Sequence, residues 1–477
     1  MSASAANPTQ TLVTPQTGSA GVGRAVPTGP EVLLAADWAL QFSSIHSRRM
    51  WWFQIGLAMV CGVMIVGPQS SVELAAIGIA VMALMRLPWG WRSTLALFRT
   101  PLFWCALAWV AWLALSLLWS ADRTHGWQEV GGFRWIYIGF GLWLIMDRRR
   151  WITLALAAGF AIACVVQIGD WVGHASEIKS LAWNHPPRPE GTPVRASGWW
   201  YQPAIGGTLL VAALGLHLPA AFMGRGWWRV LGLGGAALTV VGLALTGARG
   251  AWLAAALLVA VVAVWTVLHG VTRATCWRRL GLVMGAAAIV VGLAWIGVGD
   301  KVSQRVGAAQ ADLRRVIHEK DFNSDTGGRL LMNWWAIEII MKHPIIGVGA
   351  GGYKAWVLAN LERRGIDPSQ RRVIGQAHST PLHVAATTGL VGLALCVLTF
   401  GVALWGSARA PGGAMDWGSY DAAPFFALLG LCIVSVFETL HVNAQTAAVV
   451  TFLMALSMWP RVAAQPEAQG RRAAGLT

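Results

Sequence analysis

Residues Gly375–Gly392 read GQAHSTPLHVAATTGLVG, a polar turn that becomes an apolar segment and continues through Leu395 to Phe400. The apolar part has the composition of a helix that crosses a bilayer, which takes about 20 residues. His378 and Ser379 lie in the polar turn at the start of this helix. The sequence therefore predicts a titratable imidazole at a membrane surface, and the rest of the chain decides which surface that is.

The composition is that of a membrane protein. Of 477 residues, 56% are hydrophobic and only 12% are charged, with 29 Trp, whereas a soluble domain is about 25% charged. Trp favours the headgroup boundary of a bilayer, where both its ring and its N–H are accommodated. The net charge of +15 is explained by basic residues in short loops beside apolar segments, so membrane lipids are expected as partners and nucleic acid is not.

The six cysteines show no CxxC and no paired spacing, and five of them lie inside apolar segments. Neither a disulfide framework nor a metal cage is indicated, and these five are interpreted as small core residues. No metal and no other cofactor is predicted.

Apolar segments of membrane length recur from Trp51 onward and predict an all-α integral membrane protein of about twelve helices, because lipid offers no partner to an open strand edge. The predicted spans are Trp51–Gly67, Val72–Leu87, Leu102–Trp119, Gly131–Met146, Ile152–Val172, Ala204–Phe222, Val230–Thr246, Ala251–Leu268, Leu280–Val298, Pro381–Trp405, Pro424–Leu440 and Thr446–Trp459.

Basic residues in alternate short connections orient the chain. With twelve spans they all fall on one side, which is the cytoplasmic side by the positive-inside rule, so both termini are predicted to be cytoplasmic. These residues are Arg48, Arg49, Arg86, Arg92, Arg99, Arg148, Arg149, Arg150, Arg225, Arg229, Arg273, Arg278, Arg279, Arg409, Arg461, Arg471 and Arg472.

The predicted organisation has five parts. Residues 1–45 are expected to be a disordered cytoplasmic tail, 46–298 a membrane domain with nine helices, and 299–380 a large external loop. Residues 381–460 carry the last three spans and 461–477 form a second cytoplasmic tail.

Two short helices are expected in the large loop. The first is an amphipathic helix over Lys301–His318, and the second runs from Arg329 to about Lys342, where Pro344 stops it.

Three side chains on the external face are candidates for chemistry. Arg249 lies between two apolar spans, where it either faces a wet cavity or extends to the interface; Arg329 opens a predicted helix or is simply exposed. Arg presents a planar fork of donors that fits phosphate oxygens. His378 is either a structural residue or a base that takes a proton from a hydroxyl. An anion clamp beside a base at this face suggests group transfer from a lipid-linked phosphate donor.

Three motifs carry a family resemblance: TGARGAWLA (Thr246–Ala254), GRLLMNWWAIEIIMKHPIIGVGAGGY (Gly328–Tyr353) and AHSTPLHVAATTGLVGL (Ala377–Leu393). A weaker match is ASGWWYQPAIGG (Ala196–Gly207). The motifs, in this order along the chain and on one predicted side of the membrane, resemble those of the O-antigen ligase family. That family is related to O-antigen polymerases and protein O-oligosaccharyltransferases. The match departs at Ser379, where many relatives carry Asn.

The resemblance implies a GT-C-like glycosyltransferase in the bacterial inner membrane with its active site facing the periplasm. Its donor would be a glycan on undecaprenyl diphosphate and its acceptor a sugar hydroxyl of the lipid A–core, in lipopolysaccharide biosynthesis, with inversion and without a metal. The motifs assign Arg249 and Arg329 to the diphosphate and His378 to activation of the acceptor.

Weaker candidates surround these three residues. Arg195 either reaches the same anion or is a loop charge. His383 is a weaker candidate for substrate binding, with a packing residue or a support for the site as the alternative. Glu438 and His441 end the eleventh predicted span on the external side, where they would line the cavity.

The competing functions are an O-antigen polymerase, which differs only in its acceptor, and a protein O-oligosaccharyltransferase. A lipid-linked sugar flippase or other transporter is disfavoured, because the centres of the predicted spans are nearly free of charge.

Overall fold

The computed structural model describes residues 45–143, 149–175, 195–200, 202–268, 306–319, 324–364, 375–408 and 416–458, with a few isolated positions between 277 and 322. The predicted ninth span, both terminal tails and the turn around Asp321 lie outside the described residues. Within the described ranges the chain is helical and contains no strand.

Fourteen α-helices are numbered here in chain order. They are α1 Ile45–Met64, α2 Gln69–Leu97, α3 Pro101–Leu115, α4 Arg123–Gly131, α5 Ile138–Leu142, α6 Arg149–Ala175, α7 Pro203–Met223, α8 Trp227–Thr246, α9 Arg249–Leu268, α10 Asp325–Lys342, α11 Gly352–Arg363, α12 Thr380–Ser407, α13 Ala423–Val434 and α14 Ala444–Ser457. A further helical segment, 306–319, ends in the π-helix Arg315–Glu319.

Five of these helices, α6 to α9 and α12, are long and apolar enough to cross a membrane. Parts of α1 and α2, together with α13 and α14, are shorter apolar helices, as is the segment Pro101–Ser116 that contains α3. The all-α membrane architecture is thus confirmed for the described residues, whereas the count of twelve spans, the division into domains and the GT-C-like fold stay predictions.

One predicted span consists of several short pieces. The predicted span Gly131–Met146 begins where α4 ends, then forms a 3₁₀ turn over Arg134–Tyr137 and the short α5. Gly132 lets the backbone of His441 approach this segment closely, since a Cβ there would lie 2.2 Å from the carbonyl oxygen of His441. Non-helical backbone at membrane depth is tolerated where it is buried in protein.

The predicted span Pro424–Leu440 is also shorter than expected. Helix α13 ends at Val434, and the chain turns away over the next nine residues before α14 begins. The carbonyl oxygen of Ser435 accepts a hydrogen bond from the amide of Thr380 at 2.7 Å. The end of α13 is therefore joined to the start of α12, and Glu438 lies in a turn rather than in a span.

Helix α7 is the centre of the membrane bundle. The whole of its apolar window is buried in protein, and it packs against α8, α9 and α13. Gly215 lets the backbone of α13 approach closely, because a Cβ there would lie 2.5 Å from the carbonyl oxygen of Phe426. Small residues at such crossings are typical of helix packing in membranes.

Helix α12 breaks at Gly389, where φ is +72°. The carbonyls of Ala386 and Thr387 accept hydrogen bonds from the amides of Val348 and Gly349 at 3.0 and 2.7 Å. On the other side of the break, the amide of Leu390 donates to the carbonyl of Pro344 at 2.8 Å. The glycine-dense turn after α10 therefore satisfies the backbone groups that the break leaves unpaired.

A small apolar core joins α10, α11 and the first half of α12. It contains buried residues from all three helices, namely Met332, Trp335, Ala336, Ile339, Tyr353, Val357, Leu361, Ala377 and Ala386. This core fixes the helix that carries Arg329 next to the turn that carries His378.

Candidate functional site

The backbone of His378 is held in an unusual conformation directly before α12. Its φ is +53°, and it is the one non-glycine residue with positive φ among those described. A side chain in the left-handed region costs about 1–3 kcal/mol, and such strain is found most often at functional sites. The conformation is maintained because the next two residues are buried and Thr380 is bonded on both sides to the turn after α13.

The imidazole of His378 is oriented by Glu438. Its Nδ1 lies 3.0 Å from Oε1 of Glu438, and both side chains are about nine-tenths buried. An ionised carboxylate only accepts hydrogen bonds, so Nδ1 carries the hydrogen and donates it. The lone pair of Nε2 then remains available to a hydroxyl group.

The same carboxylate also contacts Arg329. Nη2 of Arg329 lies 3.5 Å from Oε2 of Glu438, and its Nη1 donates to the carbonyl of Phe437 at 3.0 Å. The guanidinium is 39% exposed, so it can reach an anion outside the protein while its inner edge stays bonded. Glu438 thus lies between a candidate base and a candidate phosphate ligand.

The ionisation of Glu438 follows from these neighbours. Burial raises the pKa of Glu438, but the hydrogen bond from His378 and the positive charge of Arg329 lower it further, so the net shift is below the ordinary value. Glu438 is therefore a carboxylate at neutral pH, which is the state that orients His378.

One expectation about Arg329 is wrong. Arg329 does not open its helix, because α10 begins at Asp325 and is capped by Ser324, whose side chain accepts a hydrogen bond from the amide of Gly327 at 3.0 Å. A Ser at this position followed by Asp-Thr-Gly-Gly is a usual helix start. Arg329 lies on the second turn of α10 instead.

Arg249 is the first residue of α9 and faces the large loop. Its Nη1 donates to Oγ1 of Thr326 at 2.8 Å, and its Nη2 lies 3.6 Å from Oδ2 of Asp312. Thr326 also donates to Asp312 at 3.1 Å. Arg249 is therefore partly buried against protein, where it holds the segment 306–319 against the start of α10.

The two arginines share one neighbourhood. Thr326, which binds Arg249, lies three residues before Arg329 on α10, so both project from the same face of that helix. Phe437 lies between them: a Cβ on Gly250 would be 2.8 Å from its Cβ, and its carbonyl accepts from Arg329. The guanidinium groups of Arg249 and Arg329 and the imidazole of His378 are thus arranged around one end of α10.

Arg195 lies on the Arg249 side of this group. Its Nε donates to the carbonyl of Thr246 at 3.0 Å, and its stem is about 3.4 Å from a Cβ built on Gly247. The turn that carries it is held by Asp170, whose Oδ2 accepts from the amides of Ser197 and Gly198.

His383 does not line the site. Its side chain is fully buried, and Nε2 lies 3.3 Å from Oε1 of Glu129 on α4. His441 is likewise buried beside it, at 5.6 Å between ring centroids. The prediction of His383 as a substrate ligand has no support in this geometry, whereas the alternative interpretation as a supporting residue stands.

Sequence reasoning did not identify several residues of the site. Asp312 and Thr326 bind Arg249, and Thr380 joins α12 to the turn that carries Glu438. Glu129 lies just before the predicted span Gly131–Met146, and nothing in the sequence indicated its contact with His383. Each acts through a contact with a distant segment, which composition and periodicity do not reveal.

Comparison with known proteins agrees with the motifs. Residues 234–397 match the family model described as O-antigen ligase, and no curated protein matches the chain. The matched region contains Arg249, Arg329 and His378, whereas Arg195 and Glu438 lie outside it. The match confirms the family resemblance over residues 234–397. The long apolar helices indicate a multi-pass membrane protein.

Proposed function

We propose that this chain is an O-antigen ligase, which moves a glycan from undecaprenyl diphosphate to a hydroxyl of the lipid A–core; the match of residues 234–397 to the O-antigen ligase family model supports the proposal. The observation that carries the proposal is the arrangement of Arg329, Glu438 and His378, in which one carboxylate bonds both the base and a phosphate-binding cation. Such an arrangement suits transfer from a charged leaving group to a neutral hydroxyl.

His378 is proposed to activate the acceptor. Nε2 takes the proton of the sugar hydroxyl as the oxygen attacks the anomeric carbon of the donor, and Glu438 stabilises the imidazolium that forms. General base catalysis of this kind contributes about 10²–10⁴-fold in rate. The new glycosidic bond forms on the side opposite the departing diphosphate, so the anomeric centre inverts.

Arg249 and Arg329 are proposed to hold the diphosphate. As the anomeric C–O bond breaks, its electron pair passes to the phosphate oxygen, and the two guanidinium forks stabilise the added charge. Loss of one such donor typically costs about 3–4 kcal/mol of barrier. No proton has to be supplied to the leaving group, because undecaprenyl diphosphate is stable as an anion.

The active site is proposed to face the periplasm of a bacterial inner membrane, with both termini in the cytoplasm. Support comes from the basic residues of the short loops, which the positive-inside rule assigns to the cytoplasm. The three proposed catalytic residues then share the side on which the lipid-linked donor and the lipid A–core meet.

The test is reconstitution of the purified chain in liposomes with lipid-linked glycan and one acceptor at a time. Lipid A–core, a second lipid-linked glycan and an acceptor protein distinguish ligase, polymerase and protein O-oligosaccharyltransferase. Product with lipid A–core alone supports the proposal. Product with either other acceptor alone would assign the chain to that activity instead.

A matched pair of variants tests the base. His378→Ala is expected to reduce transfer by about 10²–10⁴-fold, whereas His318→Ala, at an exposed position on the segment 306–319, leaves it unchanged. Full transfer by the His378 variant would remove the assignment of the base.

A further inference from the structure

A second cluster of titratable side chains lies beneath the His378–Glu438 pair and is not used by the proposed reaction. Glu129 comes from α4, His383 from α12 and His441 from the turn between α13 and α14, and all three are buried. Their candidate ligand atoms all lie within 4.8 Å of one another. Three separate segments of the chain therefore place two imidazoles and one carboxylate around a common point.

The cluster leaves polar atoms without protein partners. Among the described residues, Oε2 of Glu129, Nδ1 of His383 and both ring nitrogens of His441 are buried and make no hydrogen bond. One contact, His383 Nε2 to Glu129 Oε1 at 3.3 Å, connects the cluster internally. Buried polar groups are nearly always satisfied, so these unsatisfied atoms point to a ligand bound within the cluster, which takes one atom from each side chain.

The surroundings favour an ion over an organic ligand. The ring of His441 packs against Trp109 and Phe133, with centroids 6.0 and 5.8 Å away, and the ring of Tyr353 lies 5.7 Å from His383. With aromatic rings on these sides, we infer a small ligand that is bound by the nitrogen and oxygen atoms of the three side chains.

We propose that Glu129, His383 and His441 bind one Zn²⁺ ion. Two imidazole nitrogens and a carboxylate oxygen are a ligand set that zinc accepts, at about 2.0–2.2 Å from the ion. Ligand atoms at such distances are at most about 4.4 Å apart, so the cluster closes around an ion by small side-chain rotations. The 2+ charge also compensates the buried carboxylate of Glu129.

The role of this ion is structural. His441 follows Glu438 by three residues and His383 follows His378 by five, so the ion would join the two segments that carry the base and its partner. Through Glu129, the ion would also link these two segments to α4. The site lies outside the set of Arg249, Arg329 and His378, so it leaves the proposed metal-free transfer unchanged and does not depend on it.

The experiment measures metal content of the full-length chain, purified in detergent with an affinity tag that contains no histidine. Elemental analysis for manganese, iron, cobalt, nickel, copper and zinc is expected to find one zinc per chain. Glu129→Gln and His441→Asn are expected to lose most of that zinc. His378→Asn, which changes a histidine outside the cluster, is the matched control and should retain it.

A second measurement guards against loss of metal through misfolding. Growth with cobalt in place of zinc is expected to give a visible absorption band for the wild type and the control, absent from Glu129→Gln, while all three elute as monodisperse chains. A wild-type chain without stoichiometric zinc, or with a different metal in its place, overturns the proposal. Equal zinc in the wild type and both cluster variants overturns it as well.

Discussion

Glu438 is the residue on which the proposed mechanism depends most, because it contacts the base and a diphosphate ligand with the two oxygens of one carboxylate. Its two contacts have different consequences. The contact with His378 selects the tautomer that leaves Nε2 free, whereas the contact with Arg329 restrains a guanidinium that must turn toward the donor. The two roles are separable by kinetics.

Glu438→Gln is expected to lower kcat by roughly 10- to 100-fold, since a hydrogen bond to a charged group contributes about 1.5–3 kcal/mol. KM for the lipid-linked donor should not rise, because Arg329 keeps its charge. Steady-state kinetics in liposomes with lipid A–core measures both. In the His378→Ala background the same substitution should have little further effect; an equally large loss there would show that Glu438 acts independently of His378.

The depressed pKa of Glu438 also predicts a dependence of stability on pH. The carboxylate has a lower pKa in the folded chain than its ordinary value of 4.5. Its contribution is therefore complete above the unfolded pKa and is lost as pH falls through the folded pKa. Between about pH 7 and pH 5.5, the difference in Tm between the wild type and Glu438→Gln should stay constant, and it should shrink as the pH falls through 4.5 and below. A difference that grows on acidification would contradict the assignment.

Arg249→Lys separates charge from geometry at the diphosphate. Lysine keeps the positive charge but cannot bond Thr326 and phosphate oxygens with one planar fork. We expect a loss of about 10-fold or more in kcat/KM for the donor, the equivalent of 1.4 kcal/mol. Arg225→Lys, at an exposed position, is the control and should be neutral. Equal activity of both variants would mean that Arg249 contributes only charge or only structure.

At the scale of elements, the break in α12 is what brings the large loop to the site. The turn after α10 bonds to the carbonyls and amides that Gly389 leaves unpaired, and the apolar core beneath it fixes α10. The positions of Arg329 and His378 relative to each other therefore depend on the backbone conformation at Gly389, which lies outside the site itself.

Gly389→Ala is expected to destabilise the chain. A Cβ at this position would lie 1.9 Å from the carbonyl oxygen of Ile345, and the left-handed conformation itself costs a non-glycine residue about 1–2 kcal/mol. Thermal unfolding in detergent should show a clearly lower Tm, with reduced transfer activity. Gly401→Ala on the same helix, where a Cβ meets nothing within 4 Å, should not lower Tm. Equal behaviour of the two variants would show that the break is not required.

The sequence predicted the elements of this region better than their breaks. Hydropathy located the helices that became α6 to α9 and α12, and the motifs identified Arg249, Arg329 and His378. Hydropathy did not predict that Gly131–Met146 and Pro424–Leu440 are interrupted. The mean hydropathy of a segment is the same whether its backbone is continuous or broken. The contact between His378 and Glu438 could not be predicted from the sequence either. The two residues are 60 positions apart and meet only because of the turn after α13.

For the whole molecule, the interrupted segment after α4 bears directly on topology. The orientation predicted from the basic loops needs three crossings between residues 123 and 225, and one of them is the segment that contains the 3₁₀ turn and α5. If that segment does not cross, Arg148, Arg149 and Arg150 lie outside, against the positive-inside rule. The charge of these three residues therefore favours a crossing by a broken helix that is buried in the bundle.

Single cysteines at Arg123 and Arg225 test this in a chain whose six native cysteines are replaced. Both positions are exposed. In spheroplasts, a membrane-impermeant maleimide should label Arg123→Cys at once and Arg225→Cys only after permeabilisation, because three crossings place the two positions on opposite sides. His318→Cys, in the large loop, should behave like Arg123→Cys. Labelling of Arg123→Cys and Arg225→Cys from the same side would mean an even number of crossings, and the segment that contains α5 would then be a re-entrant element on the side of the active site.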